Sequence, residues 1–249
     1  MKGKLKILTI LLLCAVQAVG QELTRYDNYC ELASNHNLED NFSQAILYYD
    51  SAIALNPTGL RAYYGKAGVY RQLEDFDEVL INYEKIIEID SDADLFFQRG
   101  VLREALNDAI GAIQDFTRAI ELDSTRIFYY IERAEAKMIL KDNRGAIIDY
   151  SKYISFLQKH NSVYPFFGKS LPESLVSRAL AKTSLSDYQG AIRDCDDAIL
   201  LSDKYAHAYH IRGYAKVKIG QDNEGCLDLS RAGELGADGA YGFISEYCN

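Results

Sequence analysis

Small side chains recur along this chain at an interval of 33 or 34 residues, each set inside an apolar pattern of helical spacing. The clearest copy reads Gly111-Ala112-Ile113, Asp115-Phe116, Ala119-Ile120 and Leu122-Asp123. It returns as Gly145-Ala146-Ile147 with Asp149-Tyr150, and again as Gly190-Ala191-Ile192 with Asp194-Cys195, Ala198-Ile199 and Leu201. A period of this length predicts an array of helix-turn-helix units. One such unit cannot bury its apolar face alone, so each must stack on its neighbours. Six units are expected, over residues 26–59, 60–92, 93–126, 127–160, 172–205 and 206–239.

Numbered from Tyr26, Leu60, Ala93, Ile127, Pro172 and Ala206, the units align their small residues: Ala33, Ala45 and Ala52, then Gly100, Ala112 and Ala119, then Ala179, Ala191 and Ala198, then Gly213, Gly225 and Ala232. Two helices must approach closely wherever these recur. In this the chain resembles the tetratricopeptide repeat (TPR) family, whose unit is two antiparallel helices with small residues at positions 8, 20 and 27 and proline near 32. The resemblance implies an all-α fold, a right-handed superhelical solenoid of about six repeats. It also makes the large residues at positions 4, 17, 24 and 30, such as Tyr63, Phe76, Tyr83 and Ile89, interhelical core. Past the sixth unit, Tyr241, Phe243, Ile244 and Tyr247 recur at helical spacing, so residues 240–249 are expected to form a capping helix that closes the stack.

The chain begins with Lys2, Lys4 and Lys6, then an apolar run from Ile7 to Val16, then small residues at Ala18 and Gly20. This is the layout of a secretory signal peptide over residues 1–20, and the run is shorter than the roughly 20 residues a membrane span needs. Lipid attachment at Cys14 is disfavoured because Leu13 stands where a small residue is usual. Removing the leader's three lysines from 27 basic residues, against 36 acidic ones, takes the net charge from −9 to −12. That balance argues against a nucleic-acid partner, which needs a cationic stripe. Four cysteines remain. Cys30 sits at the opposite end of the array from the others and is expected to be free or intermolecular. Cys226 with Cys248 is the most plausible bridge, the alternative being four small buried hydrophobes.

The register jumps between the fourth and fifth units, leaving an insertion at residues 161–171 that contains Tyr164, Pro165, Phe166 and Phe167. Its aromatics either cover an extended helix or form a contact loop for a partner. Ser170-x-x-Glu173 at its end is a capping box that should start the next helix, with Pro172 tolerated in the first turn.

Four units share a charge pattern at positions 7, 11 and 23: Arg99, Arg103 and Asp115; Arg133, Lys137 and Asp149; Arg178, Lys182 and Asp194; Arg212, Lys216 and Asp228. The first two units lack it, with Leu32, His36 and Tyr48, then Lys66, Tyr70 and Asn82. Positions 7 and 11 share one helical face, so the joint appearance of cations and aspartate predicts interhelical ion pairs rather than a catalytic carboxylate.

The TPR resemblance places ligand contacts on the first helix of each unit. Carried over, these are Arg61, Tyr64 and Arg71; Phe97, Val101 and Glu104; Ile131 and Met138; Val176 and Leu180; and His207 and His210. Family members that clamp the C-terminal peptides of chaperones use Lys, Asn or Arg at positions 5 and 9, and that set is absent here. The middle of the expected groove is apolar, suited to an amphipathic or extended apolar segment or else filled by the chain's own insertion. His207 and His210 are spaced to share a metal but lack a third ligand nearby, and read as groove residues. No motif asks for a metal, a cofactor or catalysis. The expectation is an exported bacterial scaffold or adaptor for a protein or peptide partner, in the periplasm, at the outer membrane in an envelope-associated complex, or secreted. The alternative is a structural assembly subunit that uses its flanks, and an enzyme is the remotest reading.

Overall fold

The computed structural model describes residues 2–237 and 239–248 apart from 162 and 164–167, with side chains from position 19 onward. Most of the expected leader, and the insertion aromatics Tyr164, Phe166 and Phe167, therefore lie outside the described side chains. Among the described residues there are thirteen α-helices and no strand. They are α1 (Lys2–Leu38), α2 (Phe42–Leu55), α3 (Leu60–Gln72), α4 (Phe76–Ile89), α5 (Ala93–Ala105), α6 (Ala109–Leu122) and α7 (Phe128–Ile139). After these come α8 (Asn143–Lys159), α9 (Leu171–Ser184), α10 (Tyr188–Leu201), α11 (Ala206–Lys218), α12 (Asp222–Glu234) and α13 (Ala240–Tyr247).

The chain forms two compact units, Met1–Leu95 and Phe96–Asn249. In the first, α1 folds back on α2 and α3 on α4, and α3 lies against both α1 and α2. In the second, successive helices from α6 to α12 pack pairwise, α9 also meets α11, and α13 closes onto α12 and α11.

Two local devices make each pair turn back on itself. Position 15 of every repeat is left-handed: Asp40, Glu74, Asn107, Lys141 and Ser186 have φ between 57° and 65°, and Gly220 has φ 80°. Only the last of these is the residue that adopts this conformation without steric cost. The next residue caps the second helix. Asp108, Asp142 and Asp187 accept hydrogen bonds from the backbone N–H of Gly111, Gly145 and Gly190 at 2.9, 3.0 and 2.9 Å, filling an otherwise orphaned donor. A Cβ at any of these glycines would lie 2.1–2.2 Å from the capping carboxylate. The glycine that opens each Gly-Ala-Ile motif is therefore there for the cap. Where Glu78 replaces it, the bond to Asp75 lengthens to 3.4 Å. Helix α9 uses a different start, the capping box of Ser170 and Glu173 with Pro172 in its first turn.

The recurring alanines mark closest approach: Ala45, Ala52, Ala112, Ala119, Ala146, Ala191 and Ala198 are fully buried. Around them the core is filled by Phe116, Tyr129, Tyr150 and Tyr153. Ala146→Leu is expected to destabilise by about 1–3 kcal/mol through overpacking, read as a lower melting temperature. An unchanged melt would remove this account of the repeat.

Cys30 and Cys195 are buried free thiols, and Cys226 is joined to Cys248 by a disulfide. The bridge ties α12 to the residue that follows α13, the pairing that the sequence left as one possibility.

Candidate functional site

The helix pairs of the second unit are held together by four copies of one ion-pair device. Asp149, 1% exposed, takes the guanidinium of Arg133 in a fork at 2.8 and 2.7 Å and the ammonium of Lys137 at 2.7 Å. Arg99 and Arg103 treat Asp115 in the same way at 2.6–2.9 Å. Arg178 and Lys182 hold Asp194 at 2.7–2.9 Å, and Arg212 and Lys216 hold Asp228 at 2.6–2.8 Å. The planar guanidinium leaves one nitrogen over, and that nitrogen reaches position 25 of the preceding repeat. Arg133 Nη1 donates to Thr117 Oγ1 at 3.1 Å, Arg178 Nη1 to Ser151 Oγ at 3.0 Å, and Arg212 Nη1 to Asp196 Oδ1 at 2.6 Å. One side chain thus closes its own helix pair and fastens it to the last.

In the first unit the device comes apart in a way that explains it. Lys66 is a point charge and keeps only the outer half, meeting Asp50 at position 25 of the preceding repeat at 2.8 Å. Asn82 stands where the aspartate would be and donates to its own helix, at Glu78 O. In the first repeat the ionic site becomes aromatic, with His36 stacked on Tyr48 at 5.3 Å.

On the first helices of each unit, the expected contact residues divide into three groups. Tyr64, Val101 and Leu180 are apolar and 43%, 41% and 48% exposed. His207 is exposed, while Glu104, Met138 and His210 are half-buried. Arg61 and Arg71 are exposed too, but engaged: Arg61 lies 3.6 Å from Asp27, and Arg71 donates to the Tyr83 hydroxyl. Phe97 is half-buried at the centre of a ring cluster with Phe116, Phe128 and Tyr129, at centroid distances of 5.0–5.7 Å. It braces the repeat as much as it faces outward. Ile131 and Val176 differ from what the resemblance implies, being 1% and 6% exposed and part of the core around Tyr150, Tyr153 and Leu175.

The cause at Ile131 is the chain's own insertion. Its returning end lays Gly168 so close that a Cβ there would sit 3.3 Å from Ile131 Cγ2, and Tyr153 donates to Lys169 O at 2.9 Å. Lys169 then pairs with Glu135 at 2.8 Å and donates to Ser177 at 3.2 Å, while Tyr150 donates to Glu135 at 2.6 Å. The end of the insertion therefore covers this stretch of the first-helix face.

Burial, and then the carboxylates of Glu132 and Glu135, raise the Glu104 carboxyl above its ordinary range. Burial and Glu135 do the same to Glu132. The folded chain holds these protons after the unfolded chain has released them. Their contribution is thus full below the ordinary carboxyl pKa and lost as pH rises through the raised native values. Glu132→Gln should accordingly raise the melting temperature at about pH 7 and lose that advantage near pH 4. An equal gain at both pH values would contradict the electrostatic cause.

Among the described residues no group of three His, Cys, Asp or Glu side chains is placed to hold a metal ion. His207 and His210 instead line an apolar cavity of about 450 Å³ with Leu180, Ile211, Tyr214 and Phe243.

Residues 60–92, which form α3, the turn and α4, match the family model for the tetratricopeptide repeat. The solved C-terminal part of a TPR repeat-containing protein from Cytophaga hutchinsonii superposes with a TM-score of 0.62 at 17% identity, covering 88% of this chain and 87% of that one. The chain is a tetratricopeptide repeat protein. The TPR protein YrrB, whose structure is described as having an unusual peptide-binding site, superposes with a TM-score of 0.56 at 19% identity, covering 73% of this chain and 89% of YrrB. Among curated relatives, stress-induced-phosphoprotein 1 of Caenorhabditis elegans is 24% identical over 198 residues, 69% of this TPR chain and 61% of the worm protein. DnaJ homolog subfamily C member 7 of Mus musculus is 26% identical over 131 residues, 51% of this chain and 26% of its own length. The chain thus spans only part of the curated relatives it matches.

Sequence reasoning missed the outer half of the arginine device and the aspartate caps. Both had a signal: a hydrogen-bonding or charged residue at position 25, and Asp three residues before the Gly of each Gly-Ala-Ile motif.

Proposed function

We propose that this TPR protein is a non-catalytic scaffold that takes a partner segment on its first-helix faces, through apolar contacts more than charge. One observation carries the reading: Tyr64, Val101 and Leu180, at the lining positions of three first helices, are left 41–48% exposed. The cations at the lining positions of the first unit, Arg61 and Arg71, already have partners in the chain. Replacing Val101 and Leu180 by Asp should weaken capture of the native partner at least tenfold, about 1.4 kcal/mol, with helicity kept because neither side chain is core. Replacing Arg61 and Arg71 by Ala should cost less, mostly at low salt. Full-strength capture by the double Asp variant would refute the reading.

The protein's working place, on this reading, is outside the cytoplasm. The leader pattern over residues 1–20 supports this, as does the Cys226–Cys248 bridge, since such bonds persist in oxidising compartments. The N-terminal sequence of the protein recovered from its own cells tests it.

A second reading, a structural subunit that meets its neighbours through second helices, has its own support. Position 22 carries Leu47, Ile81, Ile148 and Leu227, which are 49–72% exposed. A concentration-dependent multimer abolished by Ile148→Lys with Leu227→Lys would favour it.

A further inference from the structure

The cavity of about 450 Å³ at the C-terminal end of the second unit is walled by three helices: Leu180, Thr183 and Ser184 from α9; His207, His210, Ile211 and Tyr214 from α11; and Phe243 from α13. Its volume lies at the small end of the range for ligand pockets, roughly 300–1,000 Å³. α13 is a fixed wall. Phe243 meets His210 and Tyr214 edge to face at 5.3 and 5.4 Å, and Tyr247 stacks on Phe243 at 6.1 Å. Lys218 lies over the Tyr247 ring at 4.7 Å, and the disulfide to Cys226 closes the end.

The lining chemistry selects an occupant. No Asp, Glu, Lys or Arg borders the cavity. Burial, and then His207, lower the His210 pKa, which favours the neutral ring. An ionic guest would therefore lose hydration with no charged lining residue in exchange, and the Lys218 ammonium, 5.3 Å over the Tyr214 ring, disfavours a cation further. The two aliphatic hydroxyls of the rim are committed as donors: Thr183 Oγ1 donates to Leu180 O at 2.7 Å, and Ser184 Oγ donates to the same carbonyl at 3.1 Å. What they offer a guest is lone pairs. An apolar ring carrying a single N–H donor suits such a site, and an aromatic side chain of 150–250 Å² is large enough to gain from the burial.

We propose that this cavity is an anchor pocket for an indole ring, the tryptophan side chain of a partner segment. The proposal rests on the first-helix face being the docking surface, and adds to it a defined end point and a residue preference.

The chain itself contains no tryptophan, so indole emission excited clear of tyrosine absorption reports the guest alone. Titrating the full chain into N-acetyl-tryptophanamide should give a saturable blue shift with a Kd on the order of 0.1–1 mM. N-acetyl-phenylalaninamide, as competitor, should bind at least threefold more weakly. Leu180→Gln, at an exposed position, should lower the indole affinity at least fivefold with unchanged helicity. Thr183→Val with Ser184→Ala should erase the preference for indole over phenyl while the apolar part of the binding persists. No saturable shift, a shift untouched by Leu180→Gln, or equal binding of both rings by the unaltered chain would overturn the proposal. Such a failure leaves the docking face standing if Val101→Asp alone still reduces partner capture, so the two readings fail separately.

Discussion

Asp149→Ala is expected to destabilise the second unit by about 3–5 kcal/mol, because it strands two cations that are largely withdrawn from water. Arg133 and Lys137 are 15% and 16% exposed and share no other carboxylate in the device. The loss corresponds to a fall in melting temperature on the order of 10 °C. Asp50→Ala is the single-contact control: Lys66 is 17% exposed, close to Lys137, but it loses one contact to an aspartate that is itself 50% exposed, so the loss should be smaller and nearer the roughly 0–1 kcal/mol of exposed pairs. Calorimetry of both variants beside the parent decides the matter. Equal losses would mean that burial does not set the strength of these pairs.

Cys248→Ser is expected to cost about 3 kcal/mol locally, the loop-closure term for a bond spanning 22 residues. Reductant should lower the melting temperature of the parent chain and leave that of Cys248→Ser unmoved, since the two other described cysteines, Cys30 and Cys195, are free. A reductant effect of the same size in both would place the sensitivity elsewhere. Hydrogen exchange should show the loss concentrated in α13 and in α12 from Cys226 onward, because that is the segment the bond closes.

What could be read from the sequence was what repeats. Arg133, Lys137 and Asp149 recur with their counterparts in three other units, so their pairing follows from helical geometry without coordinates. The buried alanines follow in the same way, because each repeat is an independent sample of the same close contact. What could not be read was whatever occurs once. Ile131 occupies a lining position by register, yet Gly168 and Lys169 return over it, and no periodicity announces where an insertion comes to rest. Phe97 occupies the same position one repeat earlier and turns inward to three rings. Substituting those two side chains disturbs the core, whereas Val101 and Leu180 are exposed. The cavity beside His210 depends on α13 docking back onto α11, a contact made only at the end of the array. The left-handed residue at position 15 was equally hidden, since Asp, Glu, Asn, Lys and Ser fill it in the five repeats without glycine there and only the shared backbone reveals the rule.

The most direct test of the central claim is site-specific photo-crosslinking of the full chain in its own cells, with the reactive side chain placed at Val101, Leu180, Ile148 or Leu227. The first two lie on first helices and the last two on second helices, and all four are exposed, so differences in yield report where a partner sits. Docking on the first-helix face predicts one heteromeric adduct from both Val101 and Leu180, with none from Ile148 or Leu227. Adducts from Ile148 and Leu227 alone would contradict it and make the second-helix face the working surface of this protein.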